Sequence, residues 1–187
     1  MREDLEGEPK SILSQVDDLP KLATMIIKLE EHLKELAEKY REIKSFIVMG
    51  QGPAFPIACE GALKIKESSY VVTEAVRPLE FRHGWISIVD NASIAYFIIA
   101  LRGVHYSYVT KLARQVIEKG GNVILITNEY KPEIRAETIV KIPSDLHELL
   151  TAHLMIIPIQ IFAYYYSTGK GRNPDKPRHL VKSVISF

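Results

Sequence analysis

Phe46-Ile47-Val48-Met49-Gly50-Gln51-Gly52-Pro53-Ala54-Phe55-Pro56-Ile57-Ala58-Cys59-Glu60-Gly61-Ala62-Leu63-Lys64-Ile65-Lys66-Glu67 is the stretch on which the fold turns. Its first four residues form a short apolar run of β type with no polar alternation, which is how a strand buried on both faces reads. Gly50-Gln51-Gly52-Pro53 breaks that run. Residues 55–68 then read as a helix carrying the small residues Ala58, Cys59, Gly61 and Ala62. Strand, tight glycine loop and helix in that order is the opening unit of a parallel sheet.

The same alternation continues outward. Further strands are expected at residues 70–73, 93–99, 122–127 and 138–142, with a helix at 107–118 stopped by Gly120-Gly121. Upstream, Leu22, Met25, Ile26, Leu29, Leu33, Leu36, Ala37 and Tyr40 step by threes and fours and predict one amphipathic helix. Downstream, Ser144 or Asp145 is expected to cap a long helix running to about Tyr166. The fold class expected is a three-layer α/β/α sandwich around a mostly parallel five-stranded sheet, of the flavodoxin-like kind. Residues 1–18 read as a polar lead-in and 19–187 as a single domain. Its tail, 171–187, is basic and turn-rich, then extended.

Composition narrows the function classes. The chain has 187 residues, 47% apolar and 25% charged, with a formal net charge of +1. That size suits one buried core, and the balanced charge gives no reason to expect a nucleic-acid surface. The lone Cys59 rules out an internal disulfide and suits a reducing compartment. It falls mid-helix among packing residues and reads as structural. The start, Met1-Arg2-Glu3-Asp4-Leu5-Glu6, is acidic and lacks the apolar region of a signal peptide. The most apolar stretch, 154–166, is short for a membrane span and contains Pro158 and Gln160, so a buried core helix is expected. A cytoplasmic protein without membrane or nucleic-acid partners is the expectation.

In a parallel sheet, ligands bind beyond the carboxyl ends of the strands. That directs attention to residues 50–53, 73–83, 101–105 and 128–131. On the helix at 55–68, Glu60, Lys64 and Glu67 stand at i, i+4 and i+7 and share one face. Such a trio is either a solvated ion-pair ladder or a carboxylate presented as a general base. His83, beside Gly84, is either a surface residue or a proton shuttle. The tail lysines are either solvated or functional. His147 and His153 lie six apart and do not share a helix face, so no metal site is expected.

Taken together, three segments resemble the sugar-isomerase (SIS) family, and in particular the second isomerase domain of the glucosamine-6-phosphate synthases. They are Pro56-Ile57-Ala58-Cys59-Glu60-Gly61-Ala62-Leu63-Lys64-Ile65-Lys66-Glu67 after the Gly50-Gln51-Gly52 loop, the His83-Gly84 pair, and Asp175-Lys176-Pro177-Arg178-His179-Leu180-Val181-Lys182-Ser183-Val184. The resemblance covers about residues 20 to 187. It implies Glu67 as the base that moves a proton between C1 and C2 of a hexose 6-phosphate. It implies His83 as the ring-opening histidine, lent by a partner subunit, and Lys182 as the lysine that binds the open-chain ketose, proposed to do so as a Schiff base. Glu60, Lys64, Gly50, Gly52 and Arg178 stand as supporting or substrate-binding positions. A sugar phosphate, no cofactor, a homodimer and in some cases a second SIS chain are the implied partners.

Two departures matter. The loops 50–53 and 101–104 lack the serine and threonine cluster with which this family grips phosphate, leaving only Arg102 or the amides before Phe55 for that role. Trp85 stands where relatives usually have proline. The wording Glu80-Phe81-Arg82-His83 is closer to the deaminase branch than to the synthase branch. Three readings follow: an enzyme domain for hexosamine 6-phosphates, acting as a deaminase or as the isomerase half of a synthase; a sensor that binds sugar phosphate without turnover; and a half-site that needs a second SIS domain.

Overall fold

The computed structural model describes residues 11–90 and 93–180. The strands are β1 (Ser45–Gly50), β2 (Val72–Val76), β3 (Ile94–Ala100), β4 (Asn122–Thr127) and β5 (Thr138–Lys141). They form one sheet of order β2-β1-β3-β4-β5, and every pairing is parallel. Met49 is level with Val76 on one side and Ile98 on the other, and Ile98 with Leu125. Because β2 and β3 flank β1, the chain switches sides of the sheet at β1. The crevice at such a switch point is where this topology usually takes a ligand.

The unbroken apolar runs follow from covering both faces. Successive side chains alternate between faces, so each strand feeds two cores. Phe46, Val48, Phe97, Ile99, Ile124 and Ile126 point into one core. That core is closed by α2 (Glu30–Lys39), α3 (Ala54–Ser69) and α7 (Ile156–Gly169). Ile47, Met49, Tyr96, Ile98 and Leu125 point into the other, which α5 (Tyr106–Glu118) covers together with Phe81 from α4 (Pro78–Phe81). The helix α3 lies close to α7 because Gly61 has no side chain: a Cβ there would sit 2.9 Å from Ile159 Cδ1. Residues Glu148–Gly169 are long and apolar enough to cross a membrane by length and composition, but Phe162, Ala163 and Tyr166 are buried against the sheet.

The element boundaries differ from expectation in three places. The N-terminal pattern is two helices, α1 (Leu19–Ile27) and α2, because the Leu29 amide donates to the Ile26 carbonyl in a tightened turn. That bend lets α1 reach α6 (Glu148–Leu154) while α2 stays on α7. The long C-terminal helix is likewise two, α6 and α7. Pro158 offers no amide to the Leu154 carbonyl four residues back, and its ring crowds that carbonyl. The cap is His147, whose ring accepts from the Leu149 amide, whereas Ser144 is hydrogen-bonded to Thr151. Finally, Tyr70 does not begin a strand. It ends α3 in the left-handed conformation, and β2 starts at Val72.

Burial has a consequence at high pH. Tyr96 and Tyr166 are fully enclosed, and burial pushes both phenols up to about 12, with Asp90 adding to the effect at Tyr96. An unfolded tyrosine ionises near pH 10. Stability is therefore full below about pH 10 and falls as pH rises toward 12, by on the order of 2 kcal/mol per tyrosine. Urea midpoints measured from pH 8 to 12 are expected to show that fall. A flat profile would contradict it.

Candidate functional site

The helix α3 carries the candidate carboxylates, and its ends explain how it is held. Gly50 precedes it because any Cβ would collide with the Ala54 carbonyl. Its far end is tied down by hydroxyls: Ser68 Oγ donates to the Lys64 carbonyl, Ser69 Oγ to the Ile65 carbonyl, and Ser167 Oγ from α7 to the Ser68 carbonyl. Ala58, Gly61, Ala62, Ile65 and Ser69 are buried against the sheet and α7. Leu63 and Lys66 face outward. So does Cys59, which is exposed and not the packing residue expected, because the small side chains around it put the packing stripe one step to either side.

Between those faces lie Glu60, Lys64 and Glu67. The Lys64 ammonium stands 2.5 Å from Glu67 Oε1 and 3.4 Å from Glu60 Oε1, so one cation serves both carboxylates. The hydrogen bond to Glu67 is the main reason that Lys64 is held above the ordinary lysine range; partial burial opposes it and Glu60 adds a smaller pull. All three side chains remain partly exposed, from 27% for Glu67 to 45% for Glu60. At that exposure the ion pairs contribute only tenths of a kcal/mol to stability.

A cleft of about 510 Å³ opens at this end of α3, lined by Leu63, Glu67, Tyr70, Val72, Arg178 and Leu180 among others. The basic tail thus returns to the helix that carries the carboxylates. The Arg178 amide donates to the Tyr70 hydroxyl at 3.0 Å, and the Arg178 guanidinium stacks 4.4 Å from the Tyr70 ring centre. Arg172 stacks on the same ring at 4.9 Å. Among the expected residues, then, Glu67 and Arg178 line one cleft, and Lys64 joins Glu67 to Glu60, which lies outside it. Lys182 lies outside the described residues, two positions beyond Leu180. Sequence reasoning missed Tyr70 and Arg172, and the arginines flanking a proline-bearing tail were the signal available for them.

Gly50, Gly52 and His83 lie elsewhere. Thirteen residues of helix separate Ala54 from Glu67, roughly 20 Å at helical rise. At the switch-point crevice, Gly52 has φ +58 and lies under the His105 ring, where a Cβ would be 2.6 Å from Cδ2. Gly103 lies against the Glu148 carboxylate. Arg102 is held by Asp145 at 2.6 Å, its own amide donates to Asn128 Oδ1 at 2.8 Å, and Tyr130 donates to the same Asp145 carboxylate. The side chains of His105 and Glu148 thus stand against the glycines of these two loops. His83 is exposed in the turn after α4, beyond the carboxyl end of β2, whereas the cleft lies at the amino end. Trp85 is partly exposed beside it.

A second cleft of about 470 Å³, between α2 and α7, is lined by Glu31, Lys34, Glu38 and Tyr165 and holds none of these residues. Among the described residues, no three His, Cys, Asp or Glu side chains converge as a metal site.

The SIS domain family model matches residues 39–168. The chain is 34% identical over 179 residues to the glutamine–fructose-6-phosphate aminotransferase (isomerizing) of Thermus thermophilus, covering 95% of this chain and 29% of that one. It therefore spans less than a third of the length of that curated relative. Among solved structures, the C-terminal domain of the glucosamine-fructose-6-phosphate aminotransferase from Francisella tularensis superposes with a TM-score of 0.80 at 24% identity, over 86% of this chain and 45% of that one. The glucosamine-6-phosphate deaminase from Thermotoga maritima gives 0.62 at 25% identity, over 86% and 48%.

Proposed function

The chain belongs to the SIS domain family, and from that premise we propose that it supplies the acid–base half of an aldose–ketose isomerase site for hexose and hexosamine 6-phosphates. The observation that carries this reading is the meeting of Glu67 with the tail in one cleft. Interconverting an aldose and a ketose requires a base over the C1–C2 bond and a cation to polarise the oxygen or nitrogen at C2. Glu67 is that base. Lys64 engages Oε1 of its carboxylate, so Oε2 is the oxygen that takes the proton from C1 and returns it to C2. Arg178 and, further along the tail, Lys182 supply the positive charge at the substrate oxygens.

Fructose 6-phosphate and glucosamine 6-phosphate are the substrates this reading favours, since relatives that cover this chain are named for them. Phosphate is held from outside this chain, because loops 50–53 and 101–104 carry no serine or threonine cluster. A second SIS domain with a Ser/Thr loop is the natural source. His83 serves a cleft other than that of its own chain, and a homodimer provides one.

The test is release of fructose 6-phosphate and ammonia from glucosamine 6-phosphate. It is run with the purified chain alone and again with a separately produced SIS domain that carries a Ser/Thr loop. Turnover on adding that domain, with borohydride trapping of the ketose on the tail peptide containing Lys182, is the expected result. Ligand binding without turnover in both preparations would overturn the reading in favour of a sensor.

A further inference from the structure

Tyr70 is in a conformation that its residue type avoids. It closes α3 with φ 55 and ψ 31, and its amide donates to the Lys66 carbonyl at 2.9 Å. A left-handed residue at this position is ordinarily glycine, because an L side chain pays a steric cost there. Glycine would make the same amide hydrogen bond without that cost. Helix capping therefore does not explain the tyrosine, and its ring and hydroxyl must.

Both are engaged by the tail. The hydroxyl accepts from the Arg178 amide, and the ring carries the guanidinium groups of Arg172 and Arg178. His179, the next residue, is itself left-handed at φ 62, so the tail turns directly after its contact with Tyr70. Among the described residues, Tyr70 and His179 are the two non-glycine positions with positive φ, and they meet at one junction. Local strain that persists on both sides of a contact marks a geometry held for a purpose. The junction lines the cleft that contains Glu67.

We propose that Tyr70 is a positioning residue that clamps the tail across the Glu67 cleft and thereby sets where Arg178 stands relative to the base. It acts through the tail and does not touch substrate. Its effect on turnover rests on the isomerase reading, but the clamp itself does not.

Amide exchange at Arg178 separates the two. In Tyr70→Phe the ring stays and the acceptor goes, and Arg178 exchange is expected to speed up about threefold to tenfold. In Tyr70→Gly the stacking is lost as well, and exchange across residues 172–180 rises further. The thermal midpoint of Tyr70→Gly stays level or rises, since the strained conformation is relieved. Arg178 exchange at the wild-type rate in both variants would overturn the clamp. In the preparation that turns over substrate, Tyr70→Phe is expected to lower kcat more than it changes KM. Faster exchange with unaltered kcat and KM would overturn the positioning role. Absence of turnover in the wild type would count against the isomerase reading and leave the exchange result to decide the clamp.

Discussion

Glu67→Gln is expected to lower the turnover of glucosamine 6-phosphate by about 10²- to 10⁴-fold, the range that a positioned general base contributes. Glutamine is nearly isosteric, and its amide oxygen can still accept from the Lys64 ammonium that now stands 2.5 Å from Glu67 Oε1. The side chain is partly exposed, so the substitution costs the fold little. What it removes is proton-accepting capacity. Glu60→Gln serves as the comparison, because Glu60 lies farther from Lys64, at 3.4 Å, and does not line the cleft. If both variants lost activity equally, the helix face would be acting as a general field of charge and not through one base. Urea melts of both variants should overlay the wild type.

Phe162→Ala is expected to destabilise the fold by about 3–5 kcal/mol. Phe162 has no exposed surface and lies at the centre of an aromatic cluster. Phe46 and Phe97 meet it edge-on at 5.6 and 4.9 Å, and Tyr166 stacks on it at 5.6 Å. Removing the ring leaves a cavity between β1, β3 and α7, and the flanking strands cannot close it without leaving their parallel register. Against a total stability of about 5–15 kcal/mol for a domain, this is a large fraction. Leu63→Ala, at an exposed position on α3, should change stability by less than about 0.5 kcal/mol. Urea midpoints give both values, and similar losses for the two would contradict this view of the core.

The sheet was legible because burial on both faces leaves a mark on every strand. Residues Ile94–Ala100 contain no charged side chain, as a strand covered on both faces requires. The helix breaks were harder to read. Pro158 was a visible signal for the division between α6 and α7, whereas the turn at Leu29 is imposed by what α1 and α2 pack against. Tyr70 illustrates the limit of propensity: its residue type favours a strand, and only the tail 108 positions away explains why it caps a helix instead. Distance in sequence also hid the cleft. Glu60, Lys64 and Glu67 share a face by local periodicity, but the return of Arg178 to that face is a tertiary fact. Gly50 and Gly52 stood as substrate-binding positions by resemblance alone; in the structure a Cβ at either would meet Ala54 or His105 of the chain itself.

In the proposed function Glu67 moves a proton at C1 and C2 of a sugar phosphate, and solvent exchange reads that step without requiring a complete reaction. Fructose 6-phosphate would be incubated in D₂O with the chain and a Ser/Thr-loop SIS domain, and deuterium at C1 followed by NMR. The wild-type chain is expected to incorporate deuterium and Glu67→Gln is not. Equal incorporation by the two proteins, or none by the wild type while the sugar phosphate is bound, would contradict it.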